Sequence, residues 1–168
     1  MQPPVLLLDF DDVLCLSAPY GGYDVLSKNP PVDLFERLFD PTAVATLNHL
    51  LAELSPAVVV TTSWLRFLEK PAFETIFQRT GLRAAAHALH THWAAPQDQG
   101  KNRLQAVEAW LAKHHEGEPF AVLDDDWSGT GLKGSHLDRQ GRVVLCAEHV
   151  GLTPSHLPVL RRALQTPP

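Results

Sequence analysis

Three apolar runs in this sequence each end in a group of oxygen-bearing side chains. The groups are Asp9, Asp11 and Asp12 after residues 5–8, Thr61, Thr62 and Ser63 after residues 57–60, and Asp124, Asp125 and Asp126 after residues 120–123. Carboxylates crowded within a few ångströms of one another cannot all stay ionised unless a cation or a shared proton relieves their repulsion. Because these donors are all oxygens, the cation that suits them best is Mg²⁺. If the chain brings the groups together, the sequence predicts a metal site with room for a phosphate.

The segments that would position these groups alternate between strand and helix. Short apolar runs typical of buried strands lie at 5–8, 57–60 and 120–123, and we expect a short strand inside 85–90 and an edge strand at 142–146. Helical spacing is found at 41–54, 73–79, 102–115 and 154–164, with one helical turn expected at 34–39. This alternation predicts an α/β fold, a doubly wound and mainly parallel sheet with helices on both faces.

In doubly wound sheets, ligands bind beyond the carboxyl ends of the strands, and all three groups stand at such ends. We therefore expect them to share one crevice. The hydroxyl of Thr62 and the ammonium of Lys101, at the start of the helix before the third group, are suited to phosphate oxygens. Carboxylates, a metal, a hydroxyl and an ammonium together predict a phosphoryl-transfer site.

The order of these motifs resembles that of the haloacid dehalogenase (HAD) superfamily of aspartate-nucleophile phosphohydrolases. The matching segments, in the order of that superfamily's motifs, are Asp9-Phe10-Asp11-Asp12-Val13, "VVVTTSW" with Thr62, Lys101, and "FAVLDDD" with Asp124 and Asp125. More narrowly, "TTSW" followed by "VGLTPSHLPVLRRAL" resembles the small HAD domains of bacterial multi-enzyme RNA-repair proteins.

The resemblance implies a phosphomonoester hydrolase and a role for each motif residue. Asp9 would be the nucleophile that forms an aspartyl-phosphate, and Asp11 would act first as acid and then as base. Thr62 and Lys101 would bind the phosphate. The implied ligands of Mg²⁺ are Asp9, Asp11, Asp125 and Asp124.

Asp12 departs from the superfamily, which usually has glycine at this position. Its side chain could crowd the turn or pair with a neighbouring loop. A crowded turn would favour a second class of function, a HAD-like binding or regulatory protein with little turnover. A response-regulator receiver also combines acids, a threonine and a lysine, but its lysine comes last along the chain, whereas Lys101 precedes the final acidic group.

The substrate is less constrained by the sequence. Trp64 and Trp127 directly follow motif strands, where each could stack on a base or sugar at the mouth of the site or pack in the core. Arg66 and Arg103 could contact a substrate phosphate or be surface residues. A loop insertion at about 15–40 could fold over a small phosphoester as a flap. The lack of a cap domain otherwise predicts an open site, which suits a nucleic-acid terminus or nucleotide, with a small-metabolite phosphatase as the alternative.

Composition narrows the class of protein. With 168 residues, 45% of them hydrophobic and 20% charged, the chain is typical of one globular domain over 1–168. No apolar run approaches the roughly 20 residues that cross a bilayer, and the first residues do not resemble a secretory signal, so we expect a cytoplasmic protein with no membrane partner. Cys15 and Cys146 cannot make a disulfide framework and are expected to be reduced in the core. The nine histidines lack the spacing of structural zinc sites.

Overall fold

The computed structural model describes residues 1–168 and contains one five-stranded sheet. The strands are β1 (Val5–Leu8), β2 (Ala57–Val60), β3 (Leu89–Ala94), β4 (Phe120–Asp125) and β5 (Val143–Cys146), in the spatial order β3-β2-β1-β4-β5. All neighbouring strands are parallel. The strand order reverses between β1 and β4, which is the switch point where ligands of doubly wound sheets bind. The predicted fold class is confirmed.

Seven helices connect and cover the strands. They are α1 (Leu34–Arg37), α2 (Pro41–Leu54), α3 (Lys70–Arg79), α4 (Arg83–His87), α5 (Arg103–His114), α6 (His136–Arg139) and α7 (Leu157–Gln165). Short 3-10 turns occupy Gly22–Leu26, Ser63–Arg66, Ser128–Thr130 and Pro154–His156. None of the helices combines the length and apolar character needed to cross a membrane.

Apolar side chains are buried on both faces of the sheet. Leu6 and Leu8 of β1 belong to a larger core cluster that includes residues of α2, α3 and α7. Val5 and Leu7 belong to a smaller cluster with α5 residues such as Trp110. Burial on both faces explains why β1 reads as an unbroken apolar run rather than an alternating one.

The third strand differs from the prediction. The segment 83–87 forms α4, and β3 begins only at Leu89, so the expected range 85–90 overlaps it by little. The alanines at 84–86 favour a helix, whereas "LHTHWA" at 89–94 carries the alternation and β-formers of a strand. Because β3 is a partly exposed edge strand, it lacks the continuous apolar run of the central strands.

Other boundaries also differ from the predicted ones. β4 extends past Leu123 to Asp125, because Asp124 and Asp125 still pair with β5. α3 begins at Lys70 rather than at residue 73. The helix predicted at 154–164 is a 3-10 turn followed by α7.

Candidate active site

Three carboxylates meet beside the switch point, one from the acidic group after β1 and two from the acidic group at the end of β4. Asp9 directly follows β1, Asp124 and Asp125 end β4, and one carboxylate oxygen from each lies within 4.8 Å of the others. Burial, together with the charge of Asp9, raises the pKa of Asp124 well above its usual range, and burial raises that of Asp125. This all-oxygen cluster, which we call the acidic cluster, fits a hard divalent cation.

A buried arginine provides the positive charge inside the acidic cluster. Arg103 Nη1 lies 2.8 Å from Asp124 Oδ2, to which it donates a hydrogen bond, and 3.0 Å from Asp9 Oδ1. Burial alone would lower the pKa of the guanidinium, but the charges of Asp9 and Asp124 raise it on balance. Asp9 Oδ1 is buried and receives no well-directed hydrogen bond, although it takes part in the ion pair with Arg103. With all three carboxylates ionised, as ligation of a metal would require, one guanidinium leaves two negative charges, which a divalent cation would balance.

Lys101, which was predicted to bind the phosphate, lies nearer the rim of the site than Arg103 does. Its side chain is about half exposed, and Nζ is 3.4 Å from Asp98 Oδ2. For Arg103 the sequence left two alternatives open, contact with a substrate phosphate or a place on the surface, and the ion pairs with Asp9 and Asp124 match neither of them. One signal was available: Asn102 and Gln105 form a capping box that makes Arg103 the first residue of α5.

Asp11 lies apart from the acidic cluster, although we predicted it as a fourth metal ligand. Its carboxylate is not among the three that converge. Instead, Oδ1 and Oδ2 accept hydrogen bonds from Trp64 Nε1 at 3.2 and 3.1 Å. Burial, followed by the charge of Asp9, raises the pKa of Asp11 to about 6. A carboxyl group with this pKa can exchange a proton near neutral pH, as an acid/base residue must.

The two threonines after β2 are both buried but differ in their hydrogen bonds. The hydroxyl of Thr62, the predicted phosphate ligand, accepts a hydrogen bond from Trp64 N and caps the turn Ser63–Arg66. The hydroxyl of Thr61 has no partner. Since Leu8 and Val60 are in register, Thr61 is level with Asp9. The Thr61 hydroxyl is therefore level with Asp9 and unpaired, whereas the Thr62 hydroxyl already caps a turn, and the phosphate-binding role of Thr62 stays a prediction.

A cavity of about 660 Å³ opens over the acidic cluster. Arg66, Lys101 and Trp127 are among its lining residues, and Trp127 is the one hydrophobic member of that lining. The Trp127 side chain is 69% exposed. Its ring lies over Gly129, where a Cβ atom would come within 2.3 Å of the indole. Glycine at 129 thus lets the indole rest on the backbone while most of the ring stays open to solvent.

Trp64 packs in the core, the second of the two places that the sequence left open for it. It is 2% exposed and does not line this cavity. The 15–40 loop also contributes no residue to the cavity lining. Instead, Gly22 packs against Trp64, and Tyr23 stacks on Phe67 at a centroid distance of 4.7 Å. Whether the loop acts as a flap stays a prediction.

Asp12 pairs with a neighbouring loop, the second of the two alternatives. Its backbone is left-handed, with φ of 56°, which explains why glycine suits this position and why aspartate is tolerated. Its Oδ1 accepts a hydrogen bond from His149 N at 2.9 Å. The side chain therefore ties the turn to the loop after β5 and does not enter the acidic cluster.

The parallel sheet, the aspartate directly after its central strand and the acidic pair ending the adjacent strand together define a HAD superfamily domain. Residues 5–157 match the family described as the HAD domain in Swiss Army Knife RNA repair proteins, and the chain belongs to that family. No curated protein and no solved structure matches the chain significantly. The resemblance seen in the sequence is thus confirmed, and family membership indicates a phosphohydrolase.

Proposed function

We propose that this protein is a Mg²⁺-dependent phosphomonoester hydrolase that acts through an aspartyl-phosphate on Asp9, with phosphorylated nucleic-acid ends as its substrates. The proposal depends on one observation: Asp9 and Asp11 line the same open cavity but have different hydrogen-bond and charge partners. Asp9 stands in the acidic cluster beside Arg103, and Asp11 stands outside it on an indole N–H. A nucleophile and an acid/base residue need this difference in surroundings.

The acidic cluster is the proposed metal site. Asp9, Asp124 and Asp125 would hold Mg²⁺, and the all-oxygen donor set with its excess of negative charge fits that ion. When bound, the ion would neutralise charge so that an anionic phosphate can approach Asp9. Arg103 contributes the fixed positive charge of the same cluster.

The proposed reaction has two steps. In the first, a carboxylate oxygen of Asp9 attacks phosphorus, the bond from phosphorus to the leaving oxygen breaks, and Asp11 gives that oxygen a proton, releasing an alcohol. In the second, the Asp11 carboxylate takes a proton from a water molecule that attacks the aspartyl-phosphate. The bond between Asp9 and phosphorus breaks, inorganic phosphate leaves, and both aspartates return to their starting states. The Thr61 hydroxyl and the Lys101 ammonium would bind phosphate oxygens.

Two features support a nucleic-acid end rather than a small metabolite. Trp127 offers a largely exposed aromatic face beside the acidic cluster, and stacking on such a face is a general way to hold a base. Arg66 and Lys101 line the same cavity and can contact backbone phosphates. The family description, which refers to RNA repair proteins, agrees with this class of substrate.

The test compares wild type and Asp9→Asn on a 3′-phosphorylated oligonucleotide, a 5′-phosphorylated one and p-nitrophenyl phosphate, each with Mg²⁺ and with chelator. We expect phosphate release that requires both Mg²⁺ and Asp9, with an oligonucleotide preferred, and a phosphorylated protein after acid quenching of wild type alone. Asp126→Asn is the matched control, because Asp126 lines the cavity outside the acidic cluster and should keep activity. Undiminished activity of Asp9→Asn would refute the mechanism, and a preference for p-nitrophenyl phosphate would refute the substrate class.

A further inference from the structure

The indole of Trp64 has a single hydrogen-bond partner, and that partner is Asp11. The Nε1 atom contacts both carboxylate oxygens, although 53 residues separate the two side chains along the chain. Trp64 is buried, so little water can replace this contact. A buried donor without its acceptor is unfavourable, and the Asp11 carboxyl is therefore held where the indole points.

The position of the indole is itself fixed from several sides. Phe10, which separates Asp9 from Asp11 in sequence, packs edge-on against it at 5.1 Å and 87°. Gly22 lies on the ring so closely that a Cβ atom would come within 2.6 Å. The Trp64 backbone N–H donates to the Thr62 hydroxyl. A side chain held in this way offers its N–H group in one direction.

Asp11 needs such a contact because it lies two residues from Asp9. An unrestrained carboxylate there would be drawn toward any cation in the acidic cluster and become another ligand. With both oxygens on Trp64 Nε1, Asp11 instead lines the cavity outside the cluster. The leaving oxygen of a substrate on Asp9 would arrive in that cavity.

We propose that Trp64 is a positioning residue, whose indole N–H holds Asp11 out of the acidic cluster and directs its carboxyl to the leaving oxygen. This inference rests on the proposed function, because it gives Trp64 a place in the proton transfer of that reaction. The Asp11 proton moves to the leaving oxygen as the bond to phosphorus breaks, and Trp64 keeps its own proton throughout.

The first test exploits the leaving group. An oligonucleotide 3′-oxygen needs a proton to leave, whereas p-nitrophenolate does not. In single-turnover experiments, Trp64→Phe should release dephosphorylated oligonucleotide about 10²-fold more slowly, near the lower end of what a positioned acid contributes. Release of p-nitrophenolate should be nearly unchanged. Equal losses with both substrates would mean that Trp64 acts only through packing, and would overturn the inference.

A double-mutant cycle tests whether the effect passes through Asp11. In an Asp11→Asn background, Trp64→Phe should cause no further loss, because the proton donor is already gone. Phe39→Leu is the packing control: the ring centroids of Phe39 and Trp64 are 6.2 Å apart, and the Phe39 ring has no hydrogen-bonding group for Asp11. This variant should slow the reaction of both substrates alike. Additive losses in the cycle would contradict the proposal. If Trp64→Phe does not fold, 3-benzothienylalanine at position 64 keeps the ring shape without the N–H group.

An NMR measurement tests the contact without any need for turnover. The chain has four tryptophans, so the indole N–H resonance missing in Trp64→Phe is that of Trp64. This resonance should shift and lose protection from solvent exchange in Asp11→Ala, which removes the acceptor, and stay unchanged in Asp126→Ala. An unchanged resonance in Asp11→Ala would refute the inference alone. A wild type that hydrolyses neither substrate would refute the proposed function, and with it the role of Trp64.

Discussion

Replacing Arg103 with methionine should destabilise the metal-free protein by about 3 to 5 kcal/mol near neutral pH, the usual loss when a buried charge loses its partner. Arg103 is in contact with both Asp9 and Asp124, each of which is buried. Methionine keeps most of the apolar stem of the side chain, so the loss reports charge more than packing.

The size of this loss should depend on pH in a definite direction. The folded-state pKa of Asp124 is raised, with burial as the main cause. Such a group contributes stability that is fully present below its unfolded pKa of 3.8 and is lost as pH rises through the folded value. Removing Arg103 takes away the charge that opposes this rise, so the folded pKa should climb further. The destabilisation should therefore be greatest near neutral pH and should shrink toward about pH 4, where Asp124 is protonated without needing a cation.

Urea denaturation in the presence of chelator, monitored by tryptophan fluorescence near pH 7 and near pH 4, measures the loss of unfolding free energy and its dependence on pH. Arg66→Met is the matched control: Arg66 lines the same cavity but is exposed, and its loss should change the free energy of unfolding by no more than about 0.5 kcal/mol. A loss below about 1 kcal/mol for Arg103→Met, or one of equal size at both pH values, would refute the charge argument.

Three further predictions concern the surroundings of the site. Trp127→Ala should raise KM for oligonucleotides but not for p-nitrophenyl phosphate, and Gly129→Ala should do the same because it displaces the indole. Equal changes in KM for both substrates would argue against stacking. Burial raises the pKa of the Cys15 and Cys146 thiols to about 12. A disulfide reagent at neutral pH should therefore label neither thiol until urea unfolds the chain, and labelling of the folded protein would contradict this prediction. Asp12→Ala should lower the free energy of unfolding by about 1 to 2 kcal/mol, because alanine loses the hydrogen bond from His149 N and still has to adopt the left-handed backbone. Asp12→Gly should lower it by less, since glycine adopts this backbone without strain. Equal losses for the two variants in urea denaturation would count against backbone strain.

The central strands and the convergence of acids could be predicted because they depend on local pattern. An unbroken apolar run such as Val5–Leu8 marks a strand buried on both faces, and its carboxyl end fixes where Asp9 must lie. The edge strand β3 lacks that pattern, which explains the wrong boundaries there. The sequence alone did not show whether Lys101 or Arg103 would contact the acidic cluster, since this depends on how the start of α5 is rotated toward β4. The direction of the Trp64 indole depends on the 3-10 turn at Ser63–Arg66, whose geometry the apolar pattern does not encode.

Asp9 and Asp11 are suited to different roles, nucleophile and acid/base residue, because their side chains contact different partners. Asp9 shares a guanidinium with Asp124, which supplies a full positive charge. Asp11 is held by a neutral indole N–H, which fixes its position and supplies no charge. A carboxyl fixed in this way can still gain and lose a proton, as a group that serves in turn as acid and base must. An arginine in place of Trp64 would hold Asp11 in its ionised form, and a neutral residue in place of Arg103 would leave two buried carboxylates uncompensated. The two partners are therefore not interchangeable, although the two aspartates are chemically identical.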